Sequence, residues 1–194
     1  MKDKILIPVV IFFAIIQTAV SAADKSAGFQ TIDFGTREKR HFGGFHIDLP
    51  LTWAPSETVN SGEMNRILSY TAANKEQSIE LSITYSADGS MDRVNRESDI
   101  YRKDIVRDKT RLHFLRSDGY EDATHNARFF YHLFEESKQS GFTVTGVLSS
   151  KTGDKLAVIK LVVSFPKGSP LTGDATEYLK KSTDIVKSFR IEGL

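Results

Sequence analysis

Apolar and polar residues alternate along much of the chain, and the alternation predicts strands. Phe45, Ile47 and Leu49 alternate with His46 and Asp48, the pattern of a half-buried strand that Pro50 ends. Arg66 to Thr71 is strand-like, and in Ser78 to Tyr85 the residues Ile79, Leu81, Ile83 and Tyr85 share one face. The period then changes. Ser90 follows the turn residues Asp88-Gly89 and is placed to cap a helix. From Met91, the residues Val94, Tyr101 and Ile105 recur at helical spacing, with Ile100 and Val106 widening the stripe. Asp92/Arg96 and Asp99/Lys103 stand four apart on the exposed face of that helix. Four strand-like runs follow: 111–116, closed by the turn Ser117-Asp118-Gly119, then 127–134, 141–149 and 156–165. The last run is nearly continuous apolar, as for a central strand covered on both faces. After a loop from Pro166 to Gly173, Asp174 opens a final helix whose buried stripe is Ala175, Tyr178, Leu179, Ile185, Val186 and Phe189.

Strands joined by short turns imply antiparallel pairing, and two amphipathic helices must each cover an apolar sheet face. The predicted fold is α+β: a twisted antiparallel β-sheet of about six to seven strands with two covering helices, an α/β/α sandwich. The predicted organisation is a leader at 1–22, a polar lead at 23–40 with room for one early strand, and a single domain at 41–194.

The leader adds an address. Lys2 and Lys4 precede the uncharged run Ile5 to Ile16, and Gln17 to Ala23 turns small and mildly polar. This is the pattern of a secretory signal peptide, with a cut after Ala22 or Ala23 satisfying the demand for small flanking side chains. The apolar run falls short of the roughly 20 residues that a membrane span requires. The expectation is export to the periplasm or beyond, with no stable membrane span once the leader is removed. The chain has no cysteine, which excludes disulfides, thiolate nucleophiles and cysteine-ligated zinc. Its net charge of +1 offers no basic excess for nucleic-acid phosphates.

Two stretches carry a resemblance. Phe45-His46-Ile47-Asp48-Leu49-Pro50-Leu51-Thr52-Trp53 looks like the opening element of the PsbP-like family: a strand, a proline, two residues and a tryptophan. Ile185-Val186-Lys187-Ser188-Phe189-Arg190 is similar to its closing helix, which ends in Ser-Phe-Arg. The family includes a photosystem II extrinsic subunit, bacterial relatives and a Ran-binding branch. The resemblance spans roughly 42–192 and implies a binding, assembly or inhibitor-type module with no catalytic motif, some bacterial members accompanying secreted effectors. It transfers no functional residue, because the matched positions are structural: Trp53 is expected at a core edge and Phe189 in the core.

Several motifs of reactive chemistry are incomplete. Lys151-Thr152-Gly153 and Ser164-Phe165-Pro166-Lys167 match elements of penicillin-binding enzymes, but in reversed order and with proline inside the serine element. A hairpin turn accounts for 151–154. Gly168 to Gly173 has phosphate-loop glycine spacing, yet Asp174 stands where that loop needs lysine. His41, His46, His113, His125 and His132 show no metal-binding helical spacing. His46 and Asp48 share a strand face without a visible third ligand, so no metal and no cofactor is expected. The distinctive exposed segment is Asp118 to Asn126, read as a loop that sets Tyr120 beside Glu121, Asp122 and His125. These four are the candidate partner-contact residues, tyrosine being a favoured interface anchor. The expected function is a secreted, non-catalytic protein-binding module of the immunity or inhibitor kind. The alternatives are a small envelope hydrolase or a carrier of an apolar ligand.

Overall fold

The computed structural model describes residues 34–41, 45–53, 56–60, 64–71, 78–107, 110–167 and 175–192. The leader, most of the polar lead, Pro55 and the loop with Asp174 lie outside them. Five strands come first: β1 (Arg37–His41), β2 (Phe45–Pro50), β3 (Ser56–Asn60), β4 (Met64–Thr71) and β5 (Ser78–Ser86). Helix α1 (Met91–Tyr101) follows. Then come β6 (Ile105–Arg107), β7 (Thr110–Glu121), β8 (His125–Glu135), β9 (Gln139–Ser150) and β10 (Leu156–Pro166). Helix α2 (Ala175–Lys187) and the short β11 (Arg190–Ile191) complete the order.

Eight strands form one antiparallel sheet in the order β3-β4-β5-β10-β9-β8-β7-β6, and β1-β2-β11 form a second, smaller one. The α+β expectation holds, and the near-continuous apolar run is indeed central, as β10. On one face, cross-strand registers line up Ile83, Ile159, Gly146 and Phe129 in one row and Leu81, Leu161, Val144 and Tyr131 in the next. Helix α2 and the small sheet cover this face, and Tyr178, Leu179, Ile185, Val186 and Phe189 join Phe45, Ile47 and Leu49 in one core. Trp53 lies in that core too, 4% exposed, with its ring edge-on to Phe34 at 5.9 Å. Phe34 is itself buried, so the polar lead contributes to the core. On the opposite face α1 sets Val94 against Phe130, Val147 and Leu156.

Gly146 decides how closely α2 approaches. A Cβ there would meet Val186 Cγ1 at 2.9 Å, Leu148 Cδ1 at 3.1 Å and a Phe129 ring carbon at 3.2 Å. The missing side chain in an otherwise filled row is the seat for Val186. The helix end is then tied down: Ser188 Oγ donates to the Ile185 carbonyl at 2.7 Å and accepts from Asp48 N at 2.9 Å. The Phe189 ring lies 5.0 Å from that of Phe45.

Two expectations need correction. The first helix stops at Tyr101 and does not reach Ile105 or Val106. Ile105 to Arg107 pair with Thr110 to Leu112 instead, because the Asp104 carboxylate accepts from Phe114 N at 2.7 Å and turns the chain back onto β7. The surface ion pairs of α1 are correspondingly Arg93–Glu97 and Arg102–Asp99 rather than the two read from spacing. Second, Ser117-Asp118-Gly119 is no turn. β7 runs through it, with Asp118 opposite Phe129 and Gly119 opposite Arg128, after a register shift between Phe114 and Arg116. The main sheet adds two short edge strands, β3 and β6, to the six of its strands read from the sequence. The expected cap at Ser90 is present, its hydroxyl accepting from Arg93 N at 3.4 Å. The turn at 151–154 is a hairpin, with Gly153 at φ 74° where other residues are strained.

Gly146→Val should lower stability by about 1–3 kcal/mol through overpacking, measured by urea unfolding. Gly146→Ala should cost less. Adding Val186→Ala to Gly146→Val should return part of the loss, and strict additivity of the two changes would refute the contact.

Candidate functional site

β7 delivers the segment singled out from the sequence to the end of α2 rather than to a free loop. Asp118 and Tyr120 lie on the face that α2 covers. The Tyr131 hydroxyl donates to the Asp118 carboxylate at 3.1 Å, and Lys187 Nζ stands 3.3 Å from it. Burial and the Asp118 charge push the Tyr131 hydroxyl far above the usual tyrosine range. Tyr120 packs its ring on Phe129 at 5.9 Å under the Arg190 guanidinium at 5.5 Å, and its buried hydroxyl has no hydrogen-bond partner among the described residues. Burial raises its pKa. Glu121 is exposed and pairs with Lys151. His125 is 4% exposed, with Nδ1 at 2.6 Å from Thr124 Oγ1. Asp122 organises the turn between β7 and β8: one carboxylate oxygen accepts from Thr124 N at 2.8 Å and His125 N at 2.7 Å. Those two backbone donors hold its pKa down at about 2. Of the four candidate contacts, Glu121 and Asp122 therefore face solvent, while Tyr120 and His125 turn inward.

Two other features present chemistry outward. The first is an open trough of about 780 Å³ on the α1 side of the sheet. Among the described residues, α1 is only three turns long and stops at the edge of this trough. Val162, Thr143 and Phe134 line its floor, Glu80, Glu136 and Lys160 bring charge of both signs, and Ile100 and Val106 stand on its rim. Ile100 is 47% exposed and Val106 73%.

The second is a corner of the small sheet. His41 and His46 face each other directly across β1 and β2, their rings 5.5 Å apart. β11 lays Arg190 opposite His46, which brings Glu192 to both histidines. Glu192 Oε1 lies 2.5 Å from His41 Nδ1 and 3.2 Å from His46 Nδ1. The hydrogen bond with His41 is the first cause of a lowered Glu192 pKa, and His46 adds to it. Lys155 Nζ donates to the Glu192 carbonyl at 3.1 Å and fixes its backbone. The histidine pair was open to detection from its place on neighbouring strands. Its carboxylate, at the far end of the chain, was not. His46 finds its acid in Glu192 rather than in Asp48, whose backbone N–H is taken by Ser188.

The motif matches resolve into scaffold. Lys151 to Gly153 form the β9–β10 turn, and Ser164 is a buried β10 residue paired with Gly141 and Ser78.

No protein-family model matches the chain, and no curated protein matches it in sequence. Among solved structures it is similar to the Ran-binding protein Mog1p of Saccharomyces cerevisiae, with 11% identity and a TM-score of 0.43 over 80% of this chain and 95% of that one. A point variant of Mog1 gives 11% and 0.43, over 81% of this chain and 96% of that one. A protein of unknown function, PA94 from Pseudomonas aeruginosa, gives 12% and 0.40 over 77% and 95%. Such likeness bears on neither function nor partner. These findings overturn the assignment to the PsbP-like family: no family model matches, and the similar structures carry other names. The stretches behind that assignment are packing devices, with Pro50 ending a strand, Trp53 and Phe189 filling the core and Ser188 closing a helix.

Asp122 contributes stability that is fully present above its ordinary pKa of 3.8 and is lost as pH falls through about 2. Unfolding midpoints measured from pH 5 down to about 2 should decline less steeply in Asp122→Ala than in the parent chain. Parallel declines would show that the turn carboxylate does not carry this dependence.

Proposed function

We propose that the protein is an exported, non-catalytic protein-binding module, of the kind that serves as an immunity or inhibitor partner to an effector or envelope enzyme. The observation that carries the reading is the open trough with its exposed aliphatic rim. Ile100 and Val106 stand in water beside Val162 and Phe134, an apolar patch of the sort that marks interaction surfaces. Glu80, Glu136, Lys160 and Arg107 around that patch supply the polar surround of an interface. The occupant this lining suits is a polypeptide segment that carries apolar side chains next to charges of both signs. Such a segment also meets a ready main-chain partner in β6, the short strand at one edge of the main sheet. The secretory pattern of the leader supports an extracytoplasmic setting.

A photo-crosslinking residue placed at position 106 of the exported chain should form one discrete adduct with a second protein in native periplasm. The same residue at exposed Lys180, on α2, should not. Binding of the purified partner should then weaken by about tenfold or more in Val106→Arg, an effect of about 1.4 kcal/mol or more. Adducts that do not depend on position, or a purified complex indifferent to Val106→Arg, would overturn the proposal.

A further inference from the structure

We propose that His41, His46 and Glu192 form a three-ligand site for a borderline divalent transition-metal ion, with Zn²⁺ as the probe. Two imidazoles and one carboxylate are a donor set of that class, which hard oxygen-seeking ions do not favour. The three donor atoms lie within 4.8 Å of one another. Ions of this class take nitrogen and carboxylate ligands at about 2.0–2.2 Å, so donors on a common ion sit at most about 4.4 Å apart. Small side-chain rotations bring the trio into that range, each histidine offering an unprotonated ring nitrogen to the ion.

The scaffold fixes each ligand independently. His41 and His46 are held opposite each other by the β1–β2 ladder. Glu192 is held by the β11–β2 ladder and by Lys155 on its carbonyl. The side chains remain reachable, with exposures of 63% for His41, 20% for His46 and 32% for Glu192. Three protein ligands leave coordination positions open to water or to a donor from outside the chain. The bound ion would clip the last strand to the first two, joining residues 151 positions apart in sequence. A link of that span adds stability to the folded chain that grows with the logarithm of ion concentration once the site is filled.

The experiment is calorimetric titration of the tag-free chain with Zn²⁺, alongside thermal unfolding with and without the ion. One ion should bind per chain, and His46→Gln and Glu192→Gln should each weaken binding by more than about tenfold, the loss that even an outer ligand-orienting partner causes. Zn²⁺ should raise the unfolding temperature of the parent chain and not that of either variant. His113→Gln, which alters a histidine paired with Asp104 elsewhere, should change neither result. Circular dichroism checks that both ligand variants stay folded, as their partly exposed positions favour. Absence of stoichiometric binding, binding that survives both ligand substitutions, or equal loss in His113→Gln would overturn the site.

Discussion

The close approach of α2 to the sheet at Gly146 is the contact on which the remaining architecture depends. A glycine in a row otherwise filled by Ile83, Ile159 and Phe129 lets Val186 settle where a side chain would stand. With the helix seated, its end falls beside β2, and Ser188 joins the two by accepting from Asp48 N while donating to its own helix. Phe189 then lies against Phe45, and the chain has no slack before Arg190 pairs with His46. One vacancy in a strand thus sets the register of a strand more than forty residues later. Interiors packed at crystal density transmit such placement because neighbours have little room to compensate.

The two faces of the main sheet are finished differently. On the α2 side, helix and small sheet together bury a continuous layer of aliphatic and aromatic side chains. On the other side α1 buries one full stripe residue, Val94, and Tyr101 packs on Phe130 with rings 5.8 Å apart. Beyond the end of α1 the sheet changes chemistry: the register row Glu80, Val162, Thr143 and His132 mixes charge, hydroxyl and aliphatic groups. His132 remains buried beneath the Phe114 ring, and burial lowers its pKa. A floor of this mixture does not demand a covering helix for folding. It can stay wet in the free chain and still offer apolar contact to an incoming segment, which is why the open trough is compatible with a stable fold.

Much of this architecture was legible in the sequence, for physical reasons that also mark where legibility ended. β2 and β5 have one buried and one wetter face, so period-two alternation exposes them. Ser90 after Asp88-Gly89 marks a helix start because only local backbone chemistry decides it. The end of α1 was hidden, since Ile105 and Val106 continue its stripe and are diverted by pairing with β7 and by the bond from Phe114 N to Asp104. The polar run Ser117-Asp118-Gly119 reads as a turn by composition. It is a strand because Tyr131 and Lys187, distant in sequence, take up the Asp118 carboxylate. Tyr120 and His125 were read as exposed for the same reason: a polar neighbourhood in sequence became the border of a core in space. The histidine corner shows the limit most sharply, for its carboxylate is 146 residues from His46 and arrives through a two-residue strand.

The trough and the histidine corner are separated by the sheet itself. The trough lies on the α1 face, toward the end of the sheet where β10 carries Ser164. The corner belongs to the layer on the α2 face, at the opposite end, where Lys155 leads into β10. Nothing bound at one can touch the other, and the strands between them are buried on the α2 side at Ile83, Ile159 and Phe129. Coupling between the two would have to pass through that packed layer as a change in the equilibrium of the whole fold rather than as a local shift. An ion at the corner would therefore act on how firmly β11 and β2 are held, while the chemistry of the rim at Ile100 and Val106 sets what the trough accepts. The chain separates what ties it together from what it presents, and the Gly146 seat of α2 belongs to the first of these.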